Sequence, residues 1–133
     1  EKRLGLCEKL AAVIGGGVST CSVEHSLPAP NYTWDTLCHL ADIHTEHSFE
    51  LLVGADTMEQ VHLWHKWDEI VDRFDPIIVG REGYPAREDA PTFPGFSSTE
   101  VRERLSQGLG VDHLVPSTIL GDLDDLYGKG RGR

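Results

Sequence analysis

A run of hydroxyl side chains in the last third of the chain is followed by an arginine. The run is Ser97 to Thr99, and Arg102 comes three positions later. The Ser97-x-x-Glu100 spacing is that of a capping box, so these residues are expected at the start of a helix. Backbone N–H groups at a helix start, with a guanidinium one turn in, suit a phosphate group. The local sequence alone favours the simpler interpretation, a capped helix with a solvated arginine.

A second short segment, Gly54-Ala55-Asp56, follows a run of apolar residues. Glycine lets a ligand approach the backbone, and the Asp56 carboxylate can either cap a helix or accept a hydrogen bond from a ribose hydroxyl. Glu59, three residues after Asp56, completes a D-x-x-E helix-start signal. Capping is favoured for these residues alone, because it needs nothing beyond the local sequence.

Pairs of histidines three residues apart raise the hypothesis of a metal site with hydrolytic activity. The pairs are His44 with His47 and His62 with His65, a spacing that metal ligands on a helix can have. Ordinary helix histidines are the favoured interpretation, so we predict no metal ligands.

Two tryptophans, Trp64 and Trp67, are also three residues apart. Such a pair usually belongs to a core, although a tryptophan near a strand end can also stack on a flat ring. The chain has no P-loop, no G-x-G-x-x-G fingerprint in a strand-to-helix context and no nucleophile elbow.

The elements that must position these residues alternate between helix and strand. Helices are predicted at residues 4–14, from Thr33 to about His47, from Asp56 to Phe74, from Ser97 to Leu105 and after Pro116. Strands are predicted at Val18–Val23, Phe49–Gly54 and Pro76–Val79, with a long polar loop over residues 80–96. This alternation is typical of an α/β fold, a parallel sheet flanked by helices. Ligands are then expected at the strand-to-helix junctions, residues 24–36, 54–57 and 80–102.

The composition is that of one acidic globular domain. The chain has 133 residues, of which 39% are hydrophobic, and 12 basic against 22 acidic residues give a formal charge of −10. We expect a single domain over residues 1–128 and a basic C-terminal tail at residues 129–133. A surface so acidic repels phosphate backbones, so nucleic acid is not an expected partner.

Cysteine usage and hydropathy point to a cytoplasmic protein. Cys7, Cys21 and Cys38 fit no paired pattern, which favours a reduced compartment. The longest uncharged stretch, residues 10–23, is too short for a bilayer, so no membrane contact is expected. Whether the chain forms a homo-oligomer is left open.

Five segments carry a resemblance to a known family: residues 31–37 (NYTWDTL), 52–56 (LVGAD), 63–67 (LWHKW), 79–85 (VGREGYP) and 97–102 (SSTEVR). In order and spacing they resemble the nicotinate (or nicotinamide) mononucleotide adenylyltransferases of the nucleotidyltransferase α/β phosphodiesterase superfamily. The resemblance covers nearly the whole chain. It implies a Rossmann-like parallel sheet, ATP and a pyridine mononucleotide as substrates, Mg²⁺ bound with ATP, and direct in-line adenylyl transfer that yields a dinucleotide and pyrophosphate.

The resemblance also implies roles for individual residues. Tyr32 and Thr33 would line the pyridine pocket, Trp64 would stack on the ring and the backbone at His65 would hold the ring substituent. Gly54 and Asp56 would contact the ribose. The ATP phosphates would be bound by Ser97, Ser98, Thr99 and Arg102.

The chain departs from the family pattern at several places. Glu82 stands where the family has the proline of an R-P-G-Y turn, which leaves the shape of that loop open, and Phe96 stands where isoleucine is usual. The Gly-rich first strand and the H-x-G-H motif, whose histidines polarise the ATP phosphates, have no counterpart, so we assign no catalytic residue. We expect these residues to correspond to the later two thirds of the enzyme, without its first strand and helix, and to be inactive alone.

The leading hypothesis is therefore a nicotinate-nucleotide adenylyltransferase of NAD biosynthesis. Tyr32-Thr33 and the segment from Trp64 to Trp67 resemble the bacterial-type enzymes, which favour nicotinate mononucleotide; nicotinamide mononucleotide is the alternative substrate. A non-catalytic nucleotide-binding or interaction protein that has lost the catalytic segment is the alternative of another class.

Overall fold

The computed structural model describes residues 2–128, and the predicted basic tail lies outside the described residues. Within this range the chain forms five α-helices and three β-strands. The helices are α1 (Lys2–Ile14), α2 (Thr33–Ile43), α3 (Trp67–Phe74), α4 (Ser98–Ser106) and α5 (Leu120–Tyr127). The strands are β1 (Leu52–Gly54), β2 (Ile77–Arg81) and β3 (Thr92–Phe93). Three 3₁₀ helices occupy Val23–Ser26, Ala55–Leu63 and Ser117–Ile119.

The chain divides into two compact units. The central unit runs from Val23 to Gly95, and the terminal unit combines the residues up to Ser22 with those from Phe96 onward. The single domain expected from the sequence stays a prediction.

The central unit is built on a parallel sheet in the order β1-β2-β3. Val53 of β1 is paired with Ile78 of β2, and Gly80 of β2 is paired with Thr92 of β3. A Cβ atom at position 80 would lie 2.7 Å from the Thr92 hydroxyl oxygen, so glycine permits β3 to pair this closely. The parallel sheet with its flanking helices confirms the predicted α/β class.

The core of the central unit forms between α2 and α3. Leu37, Ile70 and Phe74 are buried, and three tryptophans pack against them: Trp34, Trp64 and Trp67. Burial of each large apolar side chain contributes about 1.5–3 kcal/mol, which makes this cluster the main anchor of both helices.

The core of the terminal unit forms where α1, α4 and α5 pack. Its buried residues are Val101, Leu105, Val111, Ile119 and Leu123, and Leu6 and Leu10 of α1 pack against them. Lys9 also pairs with Asp122 at 2.6 Å, an exposed ion pair that adds little to stability. The helices predicted at residues 4–14 and 97–105 and the one after Pro116 are therefore confirmed. None of the helices within residues 2–128 has the length and apolar character needed to cross a membrane.

Two predicted elements are wrong. The residues from Val18 to Val23 form no strand; Val18 is 48% exposed, so this short run lacks the packed neighbours that stabilise a strand. The helix predicted from Asp56 to Phe74 is interrupted: the 3₁₀ helix ends at Leu63, and Lys66, with φ of 55°, lies in the left-handed region before α3 begins. A left-handed residue cannot continue a right-handed helix.

Two boundaries also differ from the prediction. Helix α2 begins at Thr33 as predicted, and Thr33 does not cap it, because Tyr32 is the N-cap and makes no side-chain capping bond. The helix ends at Ile43 and not near His47. Part of the predicted loop at residues 80–96 pairs with the sheet as β3, because backbone hydrogen bonding to the edge of β2 needs no apolar sequence signal.

Candidate functional site

A small pocket in the central unit brings together two segments that are distant in sequence. Its walls are Asn31, Tyr32 and Thr33 at the start of α2 and Leu63, Trp64 and His65 after the 3₁₀ helix. The cavity is about 230 Å³. Sites for whole drug-sized ligands measure roughly 300–1,000 Å³, so this pocket matches one aromatic ring better than a complete nucleotide.

Aromatic side chains form the pocket walls. The Tyr32 ring lies against the His65 imidazole, with ring centroids 4.5 Å apart and planes at 31°. The Trp64 indole stands edge-on to Trp67, with centroids 5.6 Å apart at 84°. Both Trp64 and Trp67 pack against the central core, and Trp64 also lines the pocket. The core and ring-binding interpretations of Trp64 are therefore compatible.

The break between the 3₁₀ helix and α3 is what places Trp64 and His65 at the pocket. The Trp64 N–H donates to the Val61 carbonyl at 2.9 Å, and the backbone then becomes extended, with ψ of 135° at Trp64. The left-handed Lys66 reverses the chain into α3, and its ammonium lies 5.2 Å from the centroid of the Trp34 ring. A continuous helix would have kept Trp64 and Trp67 on one face.

The two predicted ribose contacts, Gly54 and Asp56, lie outside this pocket, at the carboxyl end of β1. Asp56 forms an ion pair with Arg81, which ends the neighbouring strand β2. Both side chains are about 28–29% exposed. A carboxylate has about four lone-pair sites, so Asp56 can accept a further hydrogen bond beside the one that Arg81 donates to its Oδ2.

The capping role favoured for Asp56 is wrong. The 3₁₀ helix begins at Ala55 with Gly54 as its N-cap, and no side chain caps it. A Cβ atom at Gly54 would lie 2.6 Å from Asp56 Oδ1. Glycine at this position therefore makes room for the Asp56 carboxylate itself.

The turn after β2 has a regular shape although Glu82 replaces the family's proline. The Tyr84 N–H donates to the Arg81 carbonyl at 2.7 Å, and Gly83 has the positive φ, 84°, that a type II turn requires at its third position. The Glu82 N–H donates to the Phe93 carbonyl at 2.9 Å. Proline lacks this donor, so glutamate adds a bond between the turn and β3.

Gly95, the last residue of the central unit, is held by the same strand end. Its carbonyl accepts a hydrogen bond from Arg81 at 3.3 Å, and its N–H donates to the Glu82 carboxylate at 3.2 Å. Arg81 thus contacts both Asp56 and the end of the loop.

The four predicted phosphate-binding residues belong to the terminal unit. Ser97 caps α4, and its hydroxyl accepts a hydrogen bond from the Glu100 N–H at 3.1 Å, which confirms the capped helix start. Arg102 is exposed one turn into the helix, 3.4 Å from the Thr99 hydroxyl. The role of this helix start in phosphate binding stays a prediction.

Of the two histidine pairs, His44 and His47 contact their sequence neighbours, whereas His65 of the second pair lies against the Tyr32 ring. His44 and His47 lie 3.8 Å and 3.5 Å from the Glu46 carboxylate near the end of α2. In the part of the chain that the structure describes, residues 2–128, no group of three or more histidine, cysteine, aspartate or glutamate side chains could hold a metal ion.

Sequence reasoning missed three residues at these sites. Asn31 and Leu63 line the pocket, and Arg81 is the partner of Asp56. All three lie within the segments that carry the family resemblance. Their nearness in sequence to the assigned residues is the signal that could have identified them as site residues.

Known proteins similar to this chain indicate its family, although no protein-family model matches the chain. A protein of Anaeromyxobacter sp. (strain K) named probable nicotinate-nucleotide adenylyltransferase is 42% identical over 123 residues, which cover 90% of this chain and 65% of that protein. The chain belongs to the nicotinate-nucleotide adenylyltransferase family. This confirms the resemblance drawn from the five segments.

Two more distant family members carry the same name. The protein of Oceanobacillus iheyensis is 34% identical over 110 residues, which cover 76% of this chain and 57% of that protein. The protein of Myxococcus xanthus is 28% identical over 134 residues, which cover 98% of this chain and 70% of that protein. The chain spans slightly less than two thirds of the length of the Anaeromyxobacter relative.

Proposed function

We propose that this chain supplies the mononucleotide-binding part of an enzyme that transfers the adenylyl group of ATP to nicotinate mononucleotide. A phosphate oxygen of the mononucleotide attacks the α-phosphorus of ATP, the bond between the α-phosphorus and the bridging oxygen breaks, and pyrophosphate leaves. The product is the deamido-NAD dinucleotide of NAD biosynthesis. The observation that carries the proposal is the single-ring aromatic pocket, which gathers four predicted substrate-binding residues: Tyr32, Thr33, Trp64 and His65.

The pocket matches a pyridine ring in size and chemistry. Trp64 and Tyr32 offer aromatic faces for a flat ring, and stacking on such a face is tolerant of the ring's identity. Thr33, at the first turn of α2, lines the pocket, and its hydroxyl can donate a hydrogen bond to the ring substituent. A carboxylate only accepts hydrogen bonds, whereas an amide also donates, so a donor at this wall suits nicotinate.

The other predicted residues bind the ribose and the ATP phosphates. The Asp56 carboxylate at the end of β1 accepts a hydrogen bond from a ribose hydroxyl, and Gly54 leaves room for that carboxylate. The capped start of α4 and Arg102 bind ATP phosphates through N–H groups and a guanidinium. Mg²⁺ enters with ATP and is held mainly by substrate phosphates, as is common for this ion. The three unpaired cysteines support a cytoplasmic setting.

Titration calorimetry tests the pocket with three probes: nicotinate mononucleotide, nicotinamide mononucleotide and ATP. We expect nicotinate mononucleotide to bind more tightly than the nicotinamide form. Trp64→Leu is expected to weaken binding about tenfold or more, because loss of one aromatic stacking partner costs about 1–3 kcal/mol.

Trp34→Leu is the matched control, because Trp34 also packs against the central core but does not line the pocket. Its effect on mononucleotide affinity should stay within about twofold at a temperature where both variants are folded. Absence of binding heat with either mononucleotide, in a chain shown by circular dichroism to be folded, would remove the pocket assignment.

A further inference from the structure

Glu24 is bonded to both sides of the wall that α2 contributes to the pocket. Its backbone carbonyl accepts a hydrogen bond from the Asn31 amide, and its carboxylate accepts one from the Thr36 hydroxyl at 3.1 Å. The same hydroxyl lies 3.3 Å from the Tyr32 carbonyl, so it has a second, longer acceptor at the helix start. Asn31 lines the pocket, and Thr36 lies one turn after Thr33. The two bonds therefore hold Asn31, directly before the pocket residues Tyr32 and Thr33, and Thr36, one helical turn after them.

The turn that carries Glu24 is itself closed. Residues Val23–Ser26 form one 3₁₀ turn, in which the Ser26 hydroxyl donates to the Val23 carbonyl at 2.7 Å. The Leu27 N–H donates to the Glu24 carbonyl at 3.3 Å. The Glu24 carbonyl thus joins this turn to Asn31, and the turn acts as a fixed point for the start of α2.

The start of α2 has no side-chain cap of its own. Tyr32 is its N-cap residue and makes no capping hydrogen bond through its side chain. Thr36 is bonded back to the helix start, with its N–H donating to the Tyr32 carbonyl at 3.1 Å. The bond from Thr36 to Glu24 is therefore a route by which a residue outside the pocket fixes the backbone at Tyr32.

We propose that Glu24 is a positioning residue of the mononucleotide pocket. It does not line the cavity, so it acts through Asn31 and Thr36, which set the place of the Tyr32 ring and the Thr33 hydroxyl. The proposal rests on the proposed function for the identity of the ligand. Binding groups must be held within about 0.5 Å of their productive geometry, so loosening this wall weakens binding without removing a ligand contact.

Calorimetry with nicotinate mononucleotide separates positioning from direct contact. Glu24→Ala is expected to weaken binding about fivefold, which corresponds to the loss of one ordinary hydrogen bond. Glu24→Gln should stay within about twofold of the original chain, because its amide oxygen accepts the same bond from Thr36. Glu50→Ala removes one exposed carboxylate elsewhere in the unit and should leave affinity unchanged.

A double-mutant cycle with Thr36→Val tests the route. If Glu24 acts through Thr36, the double variant Glu24→Ala/Thr36→Val binds about as weakly as the weaker single variant. Three outcomes would overturn the proposal. The losses in the double variant could be fully additive, Glu24→Gln could bind as weakly as Glu24→Ala, or Glu24→Ala could bind as tightly as the original chain.

Hydrogen exchange gives a readout that does not depend on the ligand. In the free protein, Glu24→Ala should speed exchange of the Thr36 amide, which donates to the Tyr32 carbonyl, while the amides of β1 and β2 keep their rates. Unchanged exchange at Thr36 would overturn the positioning role. If the original chain binds no mononucleotide, the proposed function fails, and the exchange rates still decide whether Glu24 fixes this wall.

Discussion

Two segments of the chain carry the same helix-start signal and use it differently. In the terminal unit, Ser97-x-x-Glu100 begins a capped α-helix, and the Ser97 hydroxyl accepts a hydrogen bond from the Glu100 N–H at 3.1 Å. In the central unit, Asp56-x-x-Glu59 lies in a 3₁₀ helix without a side-chain cap, and Asp56 is paired with Arg81. The local sequence is equivalent, but the surroundings of the first residue are not.

The difference follows from competition for the capping oxygen. Asp56 comes directly after β1, and the neighbouring parallel strand β2 ends in Arg81, so both side chains meet at one edge of the sheet. A charge-assisted bond to a guanidinium is stronger than a bond to one backbone N–H, so the carboxylate takes the ion pair. Ser97 offers a neutral hydroxyl and keeps its local bond. A capping signal at the end of a sheet strand is thus available for another use, here an ion pair between the ends of two neighbouring strands.

The largest expected effect comes from Gly54→Ala. The new Cβ atom would overlap Asp56 Oδ1, 2.6 Å away, so the carboxylate or the strand end must shift. The carboxylate is not free to rotate away, because it is paired with Arg81. We therefore expect the free energy of unfolding, measured with urea, to fall by about 1–3 kcal/mol, the usual cost of overpacking.

Gly5→Ala is the control for this change. Gly5 lies within α1 and a Cβ atom there would meet nothing within 4 Å among the described residues, so alanine should stabilise by about 0.5–1 kcal/mol. If Gly54→Ala proves equally harmless, the Asp56 carboxylate does not occupy the place that the structure gives it.

The next largest effect is expected from Arg81→Met, which keeps the aliphatic stem and removes the guanidinium. Asp56 is then left half-buried without its charged partner, and the Gly95 carbonyl loses a donor. We expect urea unfolding to show a loss of about 1–2 kcal/mol, because hydrogen bonds to charged groups contribute more than neutral ones.

Arg87→Met is the matched control. Arg87 also pairs with an aspartate, Asp89 at 3.4 Å, but its side chain is 87% exposed. Its removal should change stability by less than about 0.5 kcal/mol, since exposed ion pairs contribute little. Equal losses in the two variants would show that the strand-end pair has no special strength.

The sequence predicts well the parts of the fold that depend on local pattern. Apolar residues at helical spacing identify α1, the Ser97-x-x-Glu100 capping box identifies α4, and the run Phe49–Gly54 contains β1. The parallel arrangement follows from the alternation of elements. The predicted strand at Val18–Val23 fails because strand formation depends on a neighbouring strand, which no local pattern reports.

The sequence predicts which residues belong to the candidate site, but it does not predict which of their side chains pair with each other. Motif residues Tyr32, Thr33, Trp64 and His65 come together in one pocket, as the resemblance implies. The contact between Asp56 and Arg81 joins residues 25 positions apart. It depends on which strands are adjacent, and that order is a property of the sheet and not of either segment.

The smallest of the three effects is expected at the segment that does keep its cap. Ser97→Ala removes the hydroxyl that accepts a hydrogen bond from the Glu100 N–H. Loss of an N-cap lowers the free energy of unfolding by about 1 kcal/mol. Ser97→Asp should restore most of that stability, because a carboxylate is an equally good cap and suits the positive end of the helix dipole. Urea unfolding monitored by circular dichroism measures both variants.

Asp56→Ala extends the same test to the other segment. Because Asp56 caps no helix, its replacement should lower stability through the Arg81 pair alone, and the loss should vanish when Arg81 is already methionine. Ser97→Ala, by contrast, should cost the same about 1 kcal/mol in either background, since its partner is a backbone N–H of its own helix. If Asp56→Ala still lowers the free energy of unfolding in the Arg81→Met background, the Asp56 carboxylate also stabilises its own 3₁₀ helix. The two helix-start signals would then differ only in how much capping each provides.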